Sequence, residues 1–196
     1  MRWLLGIAVA AVALAATYYG SALYGLSDLV RAARAGDGAA IVARTDLPRL
    51  SGSLSEQIVN AYLERVGAVR RVGAMEKMLV ATYGASVADA LVSKMLTAEN
   101  LTEILASGRL AEAKSSSALT TLPSLTDLQR VNILAQFGRM HFINPVKLSI
   151  RISQSADPDQ AAAIVLHRSS LTWKLAGILL PRAALRDIAA SLPMAR

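Results

Sequence analysis

Residues 4–26 contain no charged side chain, and no other feature of the 196-residue chain restricts its fold as strongly. As one helix this run rises about 34 Å at about 1.5 Å per residue, against the roughly 30 Å of a bilayer's hydrocarbon core. Arg2 and the terminal amine give it a positive leading end. Trp3 stands at one end and Tyr18, Tyr19 and Tyr24 toward the other, as in the aromatic belts of membrane helices. Two readings follow. One is a retained signal anchor. The other is a cleaved signal peptide, with Ala13-Leu14-Ala15 as a small-x-small site. The run continues well past Ala15, which favours the anchor. A buried core helix fits less well, because the run is long and uniformly apolar. The expected division is residues 1–26 as anchor or signal and residues 27–196 as a single exported domain.

Hydrophobic residues make up 54% of the chain, and mean hydropathy is +0.40, which excludes an intrinsically disordered protein. The chain has no Cys, so neither disulfides nor thiolate metal sites are available; their absence permits an oxidising compartment. With only two His, a His-rich metal site is not expected, and neither is a cofactor. The formal charge is +7, but it is scattered. The densest group is Arg65, Arg70, Arg71 and Lys77, with no interleaved aromatics. Nucleic-acid binding asks for a clustered basic stripe and is not expected.

Beyond the anchor, Ser27 is placed to cap a helix through Leu29, Val30 and Ala33, which Gly36-Asp37-Gly38 breaks. Asp37 caps a second short helix through Ile41 and Val42, and Leu47-Pro48 ends it. Ser53-Leu54-Ser55-Glu56 reads as a capping box opening a long amphipathic helix over 53–82. Further helices are predicted over 86–96, from Thr97 to Gly108, and over 126–137, with a Ser-rich loop at 111–123. The apolar period then changes from 3.6 to 2. Strands are predicted at 146–153, 161–167 and 171–180, then a short helix at 183–191. The expected fold is α+β: an N-terminal transmembrane or signal helix, then a helical segment packed on one face of a small C-terminal antiparallel sheet of about three strands.

Several segments together carry a likeness. They are Leu23-Tyr24, Ala32 to Asp37, Asp46-Leu47-Pro48, Ala90-Leu91-Val92 and the stretch from Leu96 to Leu101. Val165-Leu166-His167-Arg168, Leu171 to Leu175 and Leu179-Leu180-Pro181 complete it. In these the chain resembles the bacterial family known as domain of unknown function 2939, over most of residues 18–181. Two positions depart from the family pattern. Ser21-Ala22-Leu23-Tyr24 stands where the family has Ser-Pro-Tyr, and Ser169-Ser170 stands where the last hairpin often has Gly. The resemblance implies a membrane-tethered bacterial envelope protein; with the anchor reading, the expected place is the inner membrane, single-pass, with residues 27–196 on the periplasmic side, or exported if the segment is cleaved. It implies no activity and no catalytic residue.

The residues themselves carry no enzymatic signature. Neither His141 nor His167 is followed by Glu, no Ser lies three positions before a Lys, and there is no phosphate-binding Gly loop. The chain is therefore read as a non-catalytic binding or interaction module. Two sets of residues are candidates for contact. Lys147 and Arg151 share a strand face that Lys174 could join, giving a basic outer sheet surface for anionic headgroups or an acidic partner. Met75, Met78 and Trp173 could line an adaptable apolar cavity for a lipid. The expected partners are the membrane, through residues 4–26, and a lipid or protein. The alternatives are a structural subunit docking on a larger membrane complex through the long helix and, less favoured, a hydrolase built from residues distant in sequence.

Overall fold

The computed structural model describes residues 2–69, 73–75, 78, 90, 92, 96–107, 140–152, 157 and 159–192. The far end of the helix expected over 53–82, most of the helix expected at 86–96, the loop at 111–123 and the helix at 126–137 lie outside these residues.

Helix α1 runs unbroken from Arg2 to Ala35. The cap expected at Ser27 is not one: its hydroxyl donates to the Tyr24 carbonyl within the same helix. No Gly or Pro interrupts residues 26–35, and Leu26, Leu29, Val30 and Ala33 keep the helical period on the buried side. The helix stops at Gly36, whose φ of 66° is the left-handed conformation a side chain resists. The Gly36 amide donates to the Ala33 carbonyl and the Asp37 amide to the Ala32 carbonyl, the paired closure of a Schellman motif. Asp37 then caps α2 (Gly38–Ala43), its carboxylate accepting from the Ala40 amide at 2.9 Å.

The chain next crosses the edge of the sheet. The Asp46 amide donates to the Leu175 carbonyl, and the Leu175 amide donates to the Arg44 carbonyl, each at 2.8 Å. Helix α3 (Leu47–Val69) begins here, six positions ahead of the expected capping box. The Asp46 carboxylate accepts from the Arg49 amide, and Pro48 sits in the first turn, where a missing N–H costs nothing. Ser53-x-x-Glu56 thus lies inside the helix. Helix α4 (Ala98–Ser107) opens as expected, with the Asn100 amide donating to the Thr97 hydroxyl.

The sheet is an antiparallel meander of four strands in chain order: β1 (Met140–Asn144), β2 (Lys147–Arg151), β3 (Ala163–Ser169) and β4 (Thr172–Leu179). One strand more is present than expected, because β1 has only five residues and little alternation. Helix α5 (Arg182–Ser191) follows. Helices cover both faces rather than one. On one face Trp173, Leu175, Leu166, Leu148 and Ile150 pack in a single core with Ala22, Leu26, Leu29 and Val30 of α1. On the other, α3 crosses β4, with Ser53 against Gly177 and Val165 buried behind it. The Gln57 side chain of α3 fastens the end of β4: it donates to the Ile178 carbonyl and accepts from the Leu180 amide. The Arg65 guanidinium reaches the Ala189 and Leu192 carbonyls and ties α3 to α5. The core also reaches back to Tyr18 and Ala22, inside the segment expected to be anchor alone.

The β3–β4 turn consists of Ser170 and Leu171, and Ser170 has a φ of 56°. A non-glycine residue there costs about 1 kcal/mol. Ser170→Gly is expected to stabilise the domain by roughly 0.5–1 kcal/mol, read as a raised urea midpoint with an unchanged slope.

Candidate functional site

Three features meet where α1 leaves the domain. The first is an aromatic cluster. The Tyr18 ring lies 5.7 Å from both Phe142 and Trp173, and Tyr19 lies 4.9 Å edge-on to Phe142. Trp173 is only 5% exposed, and its indole N–H donates to the Ser21 hydroxyl at 3.1 Å. The Arg168 guanidinium stands 5.1 Å from the centre of the Tyr18 ring, within cation–π range. The Tyr18 hydroxyl is buried with no hydrogen-bond partner among the described residues.

The second feature is a cleft of about 680 Å³ between α1, the end of α2 and the edge of β4. Ser21, Tyr24, Asp28, Arg44, Leu171 and Lys174 contribute to its walls. The Asp28 carboxylate accepts from Arg31 on its own helix and from Arg44 across the cleft, at 2.7 Å to Nε. That acid is therefore already matched, and Lys174 adds positive charge to the wall. A second cleft, of about 810 Å³, lies between the end of α1, α2 and α4, with Arg34, Glu99 and Glu103 on its walls.

The third feature is a basic row across the sheet. Lys147 pairs with His167, and His167 pairs with Lys174, so the three side chains share one face and one row. Lys147 is exposed, while His167 and Lys174 are half-buried. Arg151 shares that face but pairs with Ala163, about 13 Å further along β2 at 3.3 Å per residue. Lys147 and Lys174 thus stand together, and Arg151 stands apart at the far end. The face is only partly open: α3 covers it over Val165 and Gly177, while Lys147 and Arg151 on β2 are exposed.

The apolar trio does not assemble. Met75 and Met78 are 76% and 73% exposed, whereas Trp173 is buried, so they share no cavity with it. Over its described length α3 turns Leu50, Val59 and Val66 into the domain, while Met75 and Met78, further along the helix expected over 53–82, are exposed. His141 is exposed and His167 half-buried, its Nδ1 without a hydrogen-bond partner among the described residues. Among the described residues no three His, Asp or Glu side chains form a metal-binding group. At the opposite end of the sheet, Arg186 of α5 donates to Asp159. That hydrogen bond holds the Asp159 carboxyl below its ordinary range and raises Arg186 above its own.

Sequence reasoning missed the two hairpin tips. Ile143, Val146 and Leu171 are exposed there, Leu171 at 81%. The available signal was an apolar residue at a turn position, where polar or small residues are usual.

Residues 11–104 match the model of a family described as "Protein of unknown function (DUF2939)", the family the sequence resembles. The match takes in α1 from residue 11 onward, α2, α3 and most of α4, and it ends before the sheet. No curated protein and no solved structure matches the chain.

Proposed function

With residues 11–104 assigned to a family of unknown function, we propose that this chain is a single-pass protein of the bacterial inner membrane. Its domain lies on the periplasmic side and acts as a non-catalytic binding or interaction module for a lipid or protein partner. One observation carries the reading: residues 3–17 of α1 are uncharged, exposed along their whole length and continuous with a helix that enters the core. Among the described helices, α1 is the one long and apolar enough to cross a membrane. Side chains such as Leu4, Leu5, Ile7 and Leu14 would be costly in water and are at home in lipid. The positive leading end supports an amino terminus kept inside.

The reading is tested by fractionating bacterial cells that express the full chain. The chain is expected to stay in the membrane pellet through alkaline carbonate and to be digested only when protease is added outside spheroplasts. Release by carbonate, or protection of the domain from external protease, would overturn it.

A further inference from the structure

We propose that the domain has a second, direct contact with the membrane: the tips of the β1–β2 and β3–β4 hairpins seat in the headgroup layer of an anionic bilayer beside α1. This rests on the anchoring reading above and adds where the domain sits. The first argument is length. The part of α1 free of the domain, residues 3–17, rises about 22 Å at about 1.5 Å per residue. A hydrocarbon core needs about 30 Å. A spanning α1 must therefore carry residues up to about Tyr24 toward the interface, and Tyr18, Ser21 and Ala22 are already packed against the sheet. Trp3 and Tyr24, both largely exposed, lie about 32 Å apart on the helix. Trp3 marks one interface, and Tyr18, Tyr19 and Tyr24, spread over about 9 Å of the helix, span the other from the acyl boundary to the headgroups.

The second argument is what lies at that level. The hairpins run side by side, the Arg168 amide donating to the Val146 carbonyl at 2.8 Å. Both tips point toward the amino-terminal end of α1. Gly25 lies against Trp173, and Asp28, three residues further along α1, binds Arg44, whose carbonyl accepts from the Leu175 amide, so β4 runs in the same direction as α1 and its tip lies toward the amino-terminal end. The tips present Ile143, Val146 and Leu171 to the outside. Leu171 is held out by a turn that itself carries strain at Ser170. Exposed apolar side chains on adjacent tips, beside a lipid-facing helix, suit the boundary between headgroups and acyl chains.

The third argument is charge. Neither hairpin, 140–151 or 163–179, contains an acidic residue, and Lys147, Arg168 and Lys174 stand just behind the tips. That spacing puts cations at phosphate depth when the tips enter the interface. Each such cation adds about fivefold to the docked population on an anionic surface, from about 1 kcal/mol per charge.

The chain has no Cys, so single-Cys variants of the full-length protein report one position each. Leu171→Cys, Val9→Cys and Ala183→Cys would carry an environment-sensitive fluorophore, in vesicles of phosphatidylcholine with phosphatidylglycerol. Nitroxide-bearing lipids quench at the headgroup boundary or deep in the core. The Val9 label is expected to be quenched by the deep nitroxide, the Leu171 label by the shallow one, and the Ala183 label, at the other end of the sheet, by neither. Replacing phosphatidylglycerol by phosphatidylcholine, or combining Lys147→Gln with Lys174→Gln, is expected to weaken Leu171 quenching. The double variant should lower the docked-to-undocked ratio about 25-fold, at fivefold per lysine. Quenching at Val9 with none at Leu171 would overturn the docking and leave the anchor standing. No quenching at either would overturn both. A Leu171 label that is shielded from water, is not quenched by lipid and depends on protein density would assign the tips to a second copy of this chain and overturn the proposal.

Discussion

A fragment starting at residue 16 is expected to fold in water as a cooperative unit, and one starting at residue 27 to lose most of its stability. The shorter fragment removes Tyr18, Ala22 and Leu26, which pack against the sheet. It also removes Ser21, whose hydroxyl satisfies the Trp173 indole N–H. Losing a buried Leu costs about 2–5 kcal/mol, and uncovering one side of a Trp adds to that. The sum, about 4–8 kcal/mol, is comparable with the 5–15 kcal/mol total of an ordinary domain. The measurement is clean, because Trp173 is the only Trp left once Trp3 is gone. Urea titrations followed by Trp173 emission should give a distinct midpoint for 16–196 and a red-shifted, nearly featureless curve for 27–196. Equal midpoints would mean that α1 does not belong to the core. A signal cleavage after Ala15 would leave the whole packed part of α1 in place, so the two fragments also separate processing from folding.

The sequence disclosed the elements whose signals are local. Asp37 and Thr97 cap their helices because a short acceptor one turn ahead of the amides leaves little choice. The strand at 146–153 showed itself through alternation, the two after it through the Arg168-Ser169-Ser170 turn between them and Pro181 at the end, and Gly36 through its position after a periodic run. Elsewhere a good local motif lost to a better placed one. Ser53-x-x-Glu56 has the form of a capping box, yet the chain must first cross β4, and its pairing with Leu175 delivers Asp46 and Pro48 at the start of α3. Ser27 could cap a helix, but nothing ahead of it ends one. Strand β1 is short, and its partner is the only strong evidence for it. The division at residue 26 followed hydropathy, which does not distinguish lipid from protein core as the destination of Leu26.

The candidate site shows the same division between local and tertiary information. The face shared by Lys147 and Arg151 was legible, because strand parity is a local property. That Lys174 falls in the row of Lys147 rather than of Arg151 depends on register through His167 and on the β3–β4 irregularity beside Val165 and Leu166. The covering of that face by α3 depends on the edge crossing. Met75 and Met78 follow the helical period, yet period alone does not say what a face meets. The hairpin tips matter only once α1 is seen to leave the domain beside them, which no pattern within residues 140–179 encodes.

Gly25→Leu is expected to pry α1 away from β4, while Gly20→Ala five residues earlier leaves the packing intact. A Cβ at Gly25 would stand 2.8 Å from the Trp173 Cβ, closer than side chains tolerate, whereas a Cβ at Gly20 meets nothing within 4 Å. Because the obstacle is the base of the Trp side chain, no rotamer change relieves it, and the helix itself has to move. Overpacking of this kind costs about 1–3 kcal/mol, occasionally more. Gly20→Ala gains up to about 1 kcal/mol from helix propensity. In the 16–196 fragment, Gly25→Leu should lower the urea midpoint and shift Trp173 emission to the red as its bond to Ser21 lengthens. Gly20→Ala should raise the midpoint without a shift. In the full chain the same displacement changes the height of the hairpin tips relative to the spanning helix. The shallow quenching of a label at Leu171 should therefore weaken in the Gly25→Leu background, while deep quenching at Val9 stays. If Gly25→Leu leaves both the midpoint and the emission unchanged, the close contact of α1 with Trp173 does not exist in solution, and the level at which the tips meet the membrane is not set by it.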